Sequence, residues 1–159
     1  MNDTAFQDYY ADQYSHCYGC GKHNADGYGL KSHWDGDTTV AYFTPRPYHS
    51  GGFPGNVYGG LIASLMDCHG AGSAFAAAYR AEGREMGNGP PMRFVTASLT
   101  VNYLRPTPLG KELEIRGEIR EIKGRKVTVD LSVAAGGTVC ATGSMIAVRL
   151  PETSPEQDE

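Results

Sequence analysis

The chain has 159 residues, a formal net charge of −4 and 40% hydrophobic content, which is the length and composition of one globular domain with a core of its own. An isoelectric point near 5.7 argues against a nucleic-acid binder that relies on a broad basic surface, and leaves room only for a small local basic patch. No run of about 18 apolar residues occurs, so no membrane span is expected, and the polar start MNDTAFQDYYADQYS has no signal-peptide pattern.

Cysteines stand at Cys17, Cys20, Cys68 and Cys140. Without an export signal they are expected to be free thiols in a reducing cytoplasm.

In chain order, residues 1–15 read as an N-terminal extension with a short amphipathic turn marked by Phe6, Tyr9, Tyr10 and Tyr14. Residues 16–150 read as a single domain, and 151–159 as an acidic, proline-containing, disordered tail. The stretch His16-Cys17-Tyr18-Gly19-Cys20-Gly21-Lys22-His23 is a compact loop. Its CxxC and two histidines invite a zinc reading. A lone CxxC lacks the second ligand pair that makes such a site convincing, so the loop is read as structural and no metal is expected. An extended segment follows through Trp34, then a turn at Gly36-Asp37 and a strand over 38–44 stopped by Pro45 and Pro47.

Residues 51–79, GGFPGNVYGGLIASLMDCHGAGSAFAAAY, open with a glycine- and proline-rich turn and become a long helix. Leu61, Leu65, Cys68, Gly72, Phe75 and Tyr79 recur at steps of three and four and form a buried stripe. Ala63, Asp67, Gly70, Ala71, Ala74 and Ala78 lie about 120° round the helix. That face is nearly devoid of bulk, so a second backbone or a slim ligand could approach it.

Four alternating strands are expected at 94–104, 111–122, 125–133 and 138–149, joined by short turns at Lys123-Gly124 and Gly136-Gly137. The fold class is α+β: one long central helix wrapped by an antiparallel β-sheet of five or six strands. Edge strands and the small-residue helix face point to association of copies.

The chemistry concentrates at the helix entrance, Pro54-Gly55-Asn56-Val57-Tyr58-Gly59-Gly60. Backbone N–H groups at a helix start lack intrahelical partners and carry the positive end of the dipole. Glycines let a substrate oxygen reach them, as in an oxyanion hole; the plainer reading is a glycine-rich turn. Asp67 lies eight residues past Gly59, about 12 Å along the axis, too far for it to serve a carbonyl held at its own Gly59. Antiparallel helices from two chains would bring one chain's acid to the other's turn. Otherwise Asp67 is an aspartate satisfied by a structural partner.

The runs GNVYGGLIASLMD and TASLTVNYLRPTPLGKELEIRGEI resemble the PaaI-type hotdog-fold acyl-CoA thioesterases, and CYGCGKHNADGYGLK is similar to their common preface. The resemblance spans residues 17–149. It implies the Gly59 N–H as oxyanion donor, Asp67 as general base or nucleophile, and Thr96 orienting the attacking water. It also implies sites built between subunits of a homodimer or dimer of dimers, an acyl-CoA or acyl-carrier substrate, and no cofactor. Two positions depart from the pattern. Tyr58 stands where the family usually has His, and Gly52 where some relatives have Asn or Gln, a role that Asn56 or His49 would take over.

Tyr58, Gly60, Asn56, His49 and Arg105 are the candidate substrate-binding residues. Arg105, with Arg80, Arg84, Arg93 and Lys111, either meets coenzyme A phosphates or solvates the surface. Two rival readings stand beside the thioesterase. One is a hydratase or dehydratase using His49 or His69, although His69 is read as a packed residue. The other is a non-catalytic acyl-thioester binding protein.

Overall fold

The structure, a computed structural model, describes residues 3–152; most of the expected tail, from residue 153 on, lies outside them. Two 3₁₀ turns, Phe6–Tyr9 and Asp12–Tyr14, precede β1 (Ser32–Asp35) and β2 (Thr38–Phe43). Then come α1 (Gly59–Ala81), β3 (Phe94–Tyr103), β4 (Leu113–Lys123), β5 (Lys126–Ala135) and β6 (Thr138–Arg149). The six strands form one antiparallel sheet of order β1-β2-β4-β5-β6-β3, and α1 lies across one face of it. This is the expected hotdog fold. No helix among the described residues is long and apolar enough to cross a membrane.

The sheet presents its apolar rows to the helix. In β5, Val127, Val129, Leu131 and Val133 are buried while the residues between them are only partly covered, the two-residue period of a one-sided strand. Leu65 and Met66 of α1, Leu113 and Ile115 of β4, and Met145 of β6 complete the core with no exposure. The stripe expected on α1 is buried as expected. The small-residue face is only half as expected: Ala63, Asp67 and Ala71 stay partly open, but Gly70, Ala74 and Ala78 are buried. Gly70 is small because the sheet is close, since a Cβ there would fall 2.6 Å from the Met145 sulfur.

The alternation expected in β3, with Val95, Ala97, Leu99, Val101 and Tyr103 on one face and Thr96, Ser98, Thr100 and Asn102 on the other, is correct for only part of the strand. Leu99 and Val101 pack against the core, but Val95 is 42% exposed. The pairing with β6 slips between Thr96 and Ser98, so Ala97 is a bulge residue. An extra residue reverses the facing of everything before it. Phe94 and Thr96 thereby turn toward α1, and Val95 turns away.

The N-terminal turns pack onto the domain. Phe6 is buried edge-on against Trp34, with ring centroids 5.5 Å apart. The Gln7 amide donates to Ser32 Oγ at 3.0 Å and accepts the Ser32 N–H at 2.8 Å. Ser32 Oγ lies 2.8 Å from His69 Nδ1, Thr39 Oγ1 lies 3.0 Å from His69 Nε2, and Thr39 in turn meets Ser73 at 2.6 Å. A continuous polar layer thus runs through the core, with every member hydrogen-bonded, which is what makes it tolerable there.

Burial holds His69 neutral, pushing its pKa down from 6.5 to about 3, with a small further push from Arg116. The unfolded chain therefore binds this proton more readily than the native one. The stabilisation is complete above pH 6.5 and is lost progressively as pH falls toward about 3, at up to about 1.4 kcal/mol per pH unit. Denaturant unfolding from pH 7 to pH 4 is expected to show that loss, and a His69→Gln chain that folds is expected to show a shallower pH dependence.

Candidate active site

The turn before α1 is held from both sides. The Val57 N–H donates to Thr107 O at 2.8 Å, the Leu109 N–H to Gly55 O at 2.8 Å, and the Tyr58 N–H to His49 O at 2.9 Å. Gly55, at φ +86°, makes the sharp corner that a side chain would oppose. Tyr58 is the residue that precedes the helix, with φ −57° and ψ 128°; it makes no side-chain capping bond, and the first turn carries no acid. The positive end of the dipole is thus left without a charged neighbour on its own helix. Tyr103 Oη donates to the Gly59 carbonyl at 2.7 Å, which pins the first helical residue to the end of β3.

Two turns further on, Thr96 Oγ1 donates to Asp67 Oδ1 at 2.5 Å. The Ala97 bulge makes this contact possible, because an unbroken strand would aim Thr96 at the other face. Asp67 is partly buried and Thr96 exposed. Both line a cleft with Tyr10, Phe75 and Phe94. The carboxylate keeps its second oxygen free of any hydrogen bond among the described residues. Gly59 and Asp67 lie in one uninterrupted helix, whose rise sets them about 12 Å apart along the axis.

The other expected residues divide between two places. Tyr58 is 59% exposed, and its ring lies across Gly60, where an added Cβ would sit 2.4 Å from the ring. Asn56 lies two residues before the helix cap and pairs with Pro108, so it does not cap the helix. Arg105 is exposed, two residues beyond Tyr103, on the side of the helix entrance. His49 sits apart from Asp67 among Tyr28, Phe43 and Tyr48, where its Nδ1 accepts the Arg46 N–H at 2.9 Å. Its protonation is disfavoured first by burial and then by Arg46. Arg80 stacks on Trp34 and Arg84 on Tyr79 at the far end of α1, so they do not join Arg105.

One grouping was not anticipated. The Cys17, Cys20 and Cys68 sulfurs all lie within 4.8 Å of one another, in the same cleft as Asp67. Neighbouring sulfurs of Cys20 and Cys68 hold the Cys17 thiol well below its usual range, while Cys17 pushes Cys20 and Cys68 up. The CxxC is visible in the sequence; its third partner, Cys68, 48 residues on from Cys20, reads there only as part of the helix stripe.

A family model for the thioesterase superfamily matches residues 54–142, the segment that runs from the helix entrance through β5 and into β6. The chain belongs to the thioesterase superfamily. A thioesterase superfamily protein from Shewanella loihica is 51% identical, with 88% of this chain and 98% of that one covered and a TM-score of 0.67. The E. coli PaaI protein from the phenylacetic acid degradation operon shares the fold at 19% identity, with 79% and 83% covered and a TM-score of 0.62. Acyl-coenzyme A thioesterase THEM4 of Xenopus laevis is 39% identical over 89 residues, 55% of this chain. The match spans about a third of the length of such curated relatives, 33% for the Xenopus protein and 31% for THEM4 of Rattus norvegicus.

Within this thioesterase superfamily chain, the Tyr103–Gly59 hydrogen bond fixes the donor-bearing turn. Tyr103→Phe removes it without changing shape. The expected loss is about 1 kcal/mol in denaturant unfolding, with an unchanged circular dichroism spectrum.

Proposed function

We propose that the chain hydrolyses acyl-coenzyme A thioesters to the free acid and thiol, at a site shared by two copies. The observation that carries this reading is the Thr96–Asp67 hydrogen bond on the open stripe of the helix, on the same helix as an uncapped glycine start, in a chain of this superfamily. Thr96 fixes one carboxylate oxygen and leaves the other to take a proton from water. The water oxygen adds to the thioester carbon, and the carbonyl oxygen becomes an oxyanion that accepts the Gly59 N–H of the second copy. Collapse breaks the C–S bond, and the thiolate leaves with the proton that Asp67 took. Direct attack by Asp67 is the variant route: its oxygen displaces the thiolate to form a mixed anhydride, and water adding to the Asp67 carbonyl carbon of that anhydride releases the acid and leaves solvent oxygen in the Asp67 carboxylate, which isotope labelling detects.

Distance supports the second copy, because eight residues of one helix separate donor and base. It is also favoured by the outer edge of β3, which has no strand beside it among the described residues, and by Val95, Tyr103 and the adjoining Leu104, which are exposed there. The acyl group is assigned to the open positions Ala63 and Ala71. Ala74, on the same small-residue face, is fully buried and does not serve. Tyr58, Gly60 and Asn56 surround the entrance, where Arg105 would meet phosphate groups. A hydratase or dehydratase needs an imidazole beside the carboxylate. The ring nitrogens of His69 are bonded within the core, and His49 lies in a different pocket.

Asp67→Asn is expected to lower kcat for acyl-CoA hydrolysis by about 10²–10⁴ while leaving the oligomer unchanged in light scattering. Gly59→Pro deletes the N–H at the first helical position, where proline is accepted, and the ψ of 128° at Tyr58 already suits a following proline. This variant is expected to lose about 10²–10³ in kcat. Co-assembly of the two inactive chains restores activity if each site draws on both copies. A co-assembled mixture that stays inactive would show the shared site to be wrong.

A further inference from the structure

We propose that Cys17, Cys20 and Cys68 bind a thiophilic divalent cation of the zinc class through three thiolates, with the fourth position open to the cleft. Tetrahedral zinc with Zn–S bonds of about 2.3 Å places its sulfurs about 3.8 Å apart. Here the Cys17 and Cys68 sulfurs are 3.7 Å apart, and all three lie within 4.8 Å of one another.

The loop is shaped to hold that triangle. Gly19 lets the CxxC turn sit directly on α1, since a Cβ there would fall 2.3 Å from the Cys68 sulfur. Gly21 permits the backbone to fold back, since its Cβ would lie 2.4 Å from Cys17 N. The Gly21 N–H closes the turn on Cys17 O at 2.8 Å, and the Leu30 N–H anchors Gly19 O at 2.9 Å.

The histidines of the loop stay outside the site. His16 and His23 meet each other as tilted rings with centroids 5.6 Å apart, and His23 Nε2 lies 3.1 Å from Asp12. A disulfide would join two of the sulfurs and strand the third, whereas one cation uses all three. Each ligating thiol releases its proton to solvent, and three thiolates on a divalent ion leave one net negative charge. Arg93 lines the same cleft and supplies a counter-charge. The bound ion would fasten the 17–20 loop to the helical turn that carries Asp67.

The test uses the full-length chain, reduced and purified without chelator, and reads metal rather than turnover, so it stands apart from the hydrolysis assay. Elemental analysis is expected to give stoichiometric zinc. Cobalt titration is expected to give the thiolate charge-transfer band and the visible bands of a tetrahedral ion. Cys17→Ser, Cys20→Ser and Cys68→Ser should each weaken or abolish them. Cys140→Ser should not, because that buried thiol donates instead to Thr138 O at 3.4 Å. Cys17 is exposed, so Cys17→Ala keeps the test decisive if the buried variants fail to fold. A folded, reduced chain that takes up neither zinc nor cobalt would overturn the proposal, as would a folded Cys17→Ala chain that binds cobalt as tightly as Cys140→Ser.

Discussion

The rise of one helix governs this molecule. Gly59 opens α1 and Asp67 follows eight residues later on the same rod, and no side-chain rotation brings them together. The rest of the architecture respects that spacing. The 55–57 turn is tied to the 107–109 segment by backbone bonds, Tyr103 holds Gly59, and Thr96 holds Asp67. Both side-chain ties come from β3, one from each end of it. The strand therefore acts as a second ruler laid beside the helix, and the two residues of interest are fixed against it independently.

Much of this was written in the sequence because it follows from period and punctuation. The strict alternation of Val127, Val129, Leu131 and Val133 specifies a one-sided strand, and the glycines before Leu61 specify where the helix begins. Asp67 is legible because it is the single carboxylate in a long run of small and apolar helical residues. The bulge at Ala97 was not legible, since nothing in Val95-Thr96-Ala97-Ser98 distinguishes a bulged strand from a regular one. Only the pairing with β6 decides it. The extended reading of that segment was right while its facing before Ser98 was reversed.

Long-range meetings of sulfur and of polar groups were also beyond a linear reading. Cys68 looked like one more member of an apolar stripe, because cysteine packs as a small hydrophobe. Its neighbours Cys17 and Cys20 arrive from a loop whose path depends on Gly19 and Gly21 sitting tightly on backbone and sulfur. His69 was correctly read as packed. Its partners Ser32 and Thr39 come from two strands whose polar side chains would ordinarily be assigned to solvent. In each case the deciding fact is which segment lies opposite, and local propensity carries no information about that.

The interruption at Ala97 has a consequence for the unpaired border of the sheet. An edge of ten regular residues is an open template on which strand after strand can add, the route to fibrous aggregates. Here a newcomer finds an uninterrupted ladder only from Ser98 to Tyr103; beyond that the spacing of donors and acceptors falls out of step. The kink that aims Thr96 inward thus also shortens the regular stretch of border on which further strands could stack.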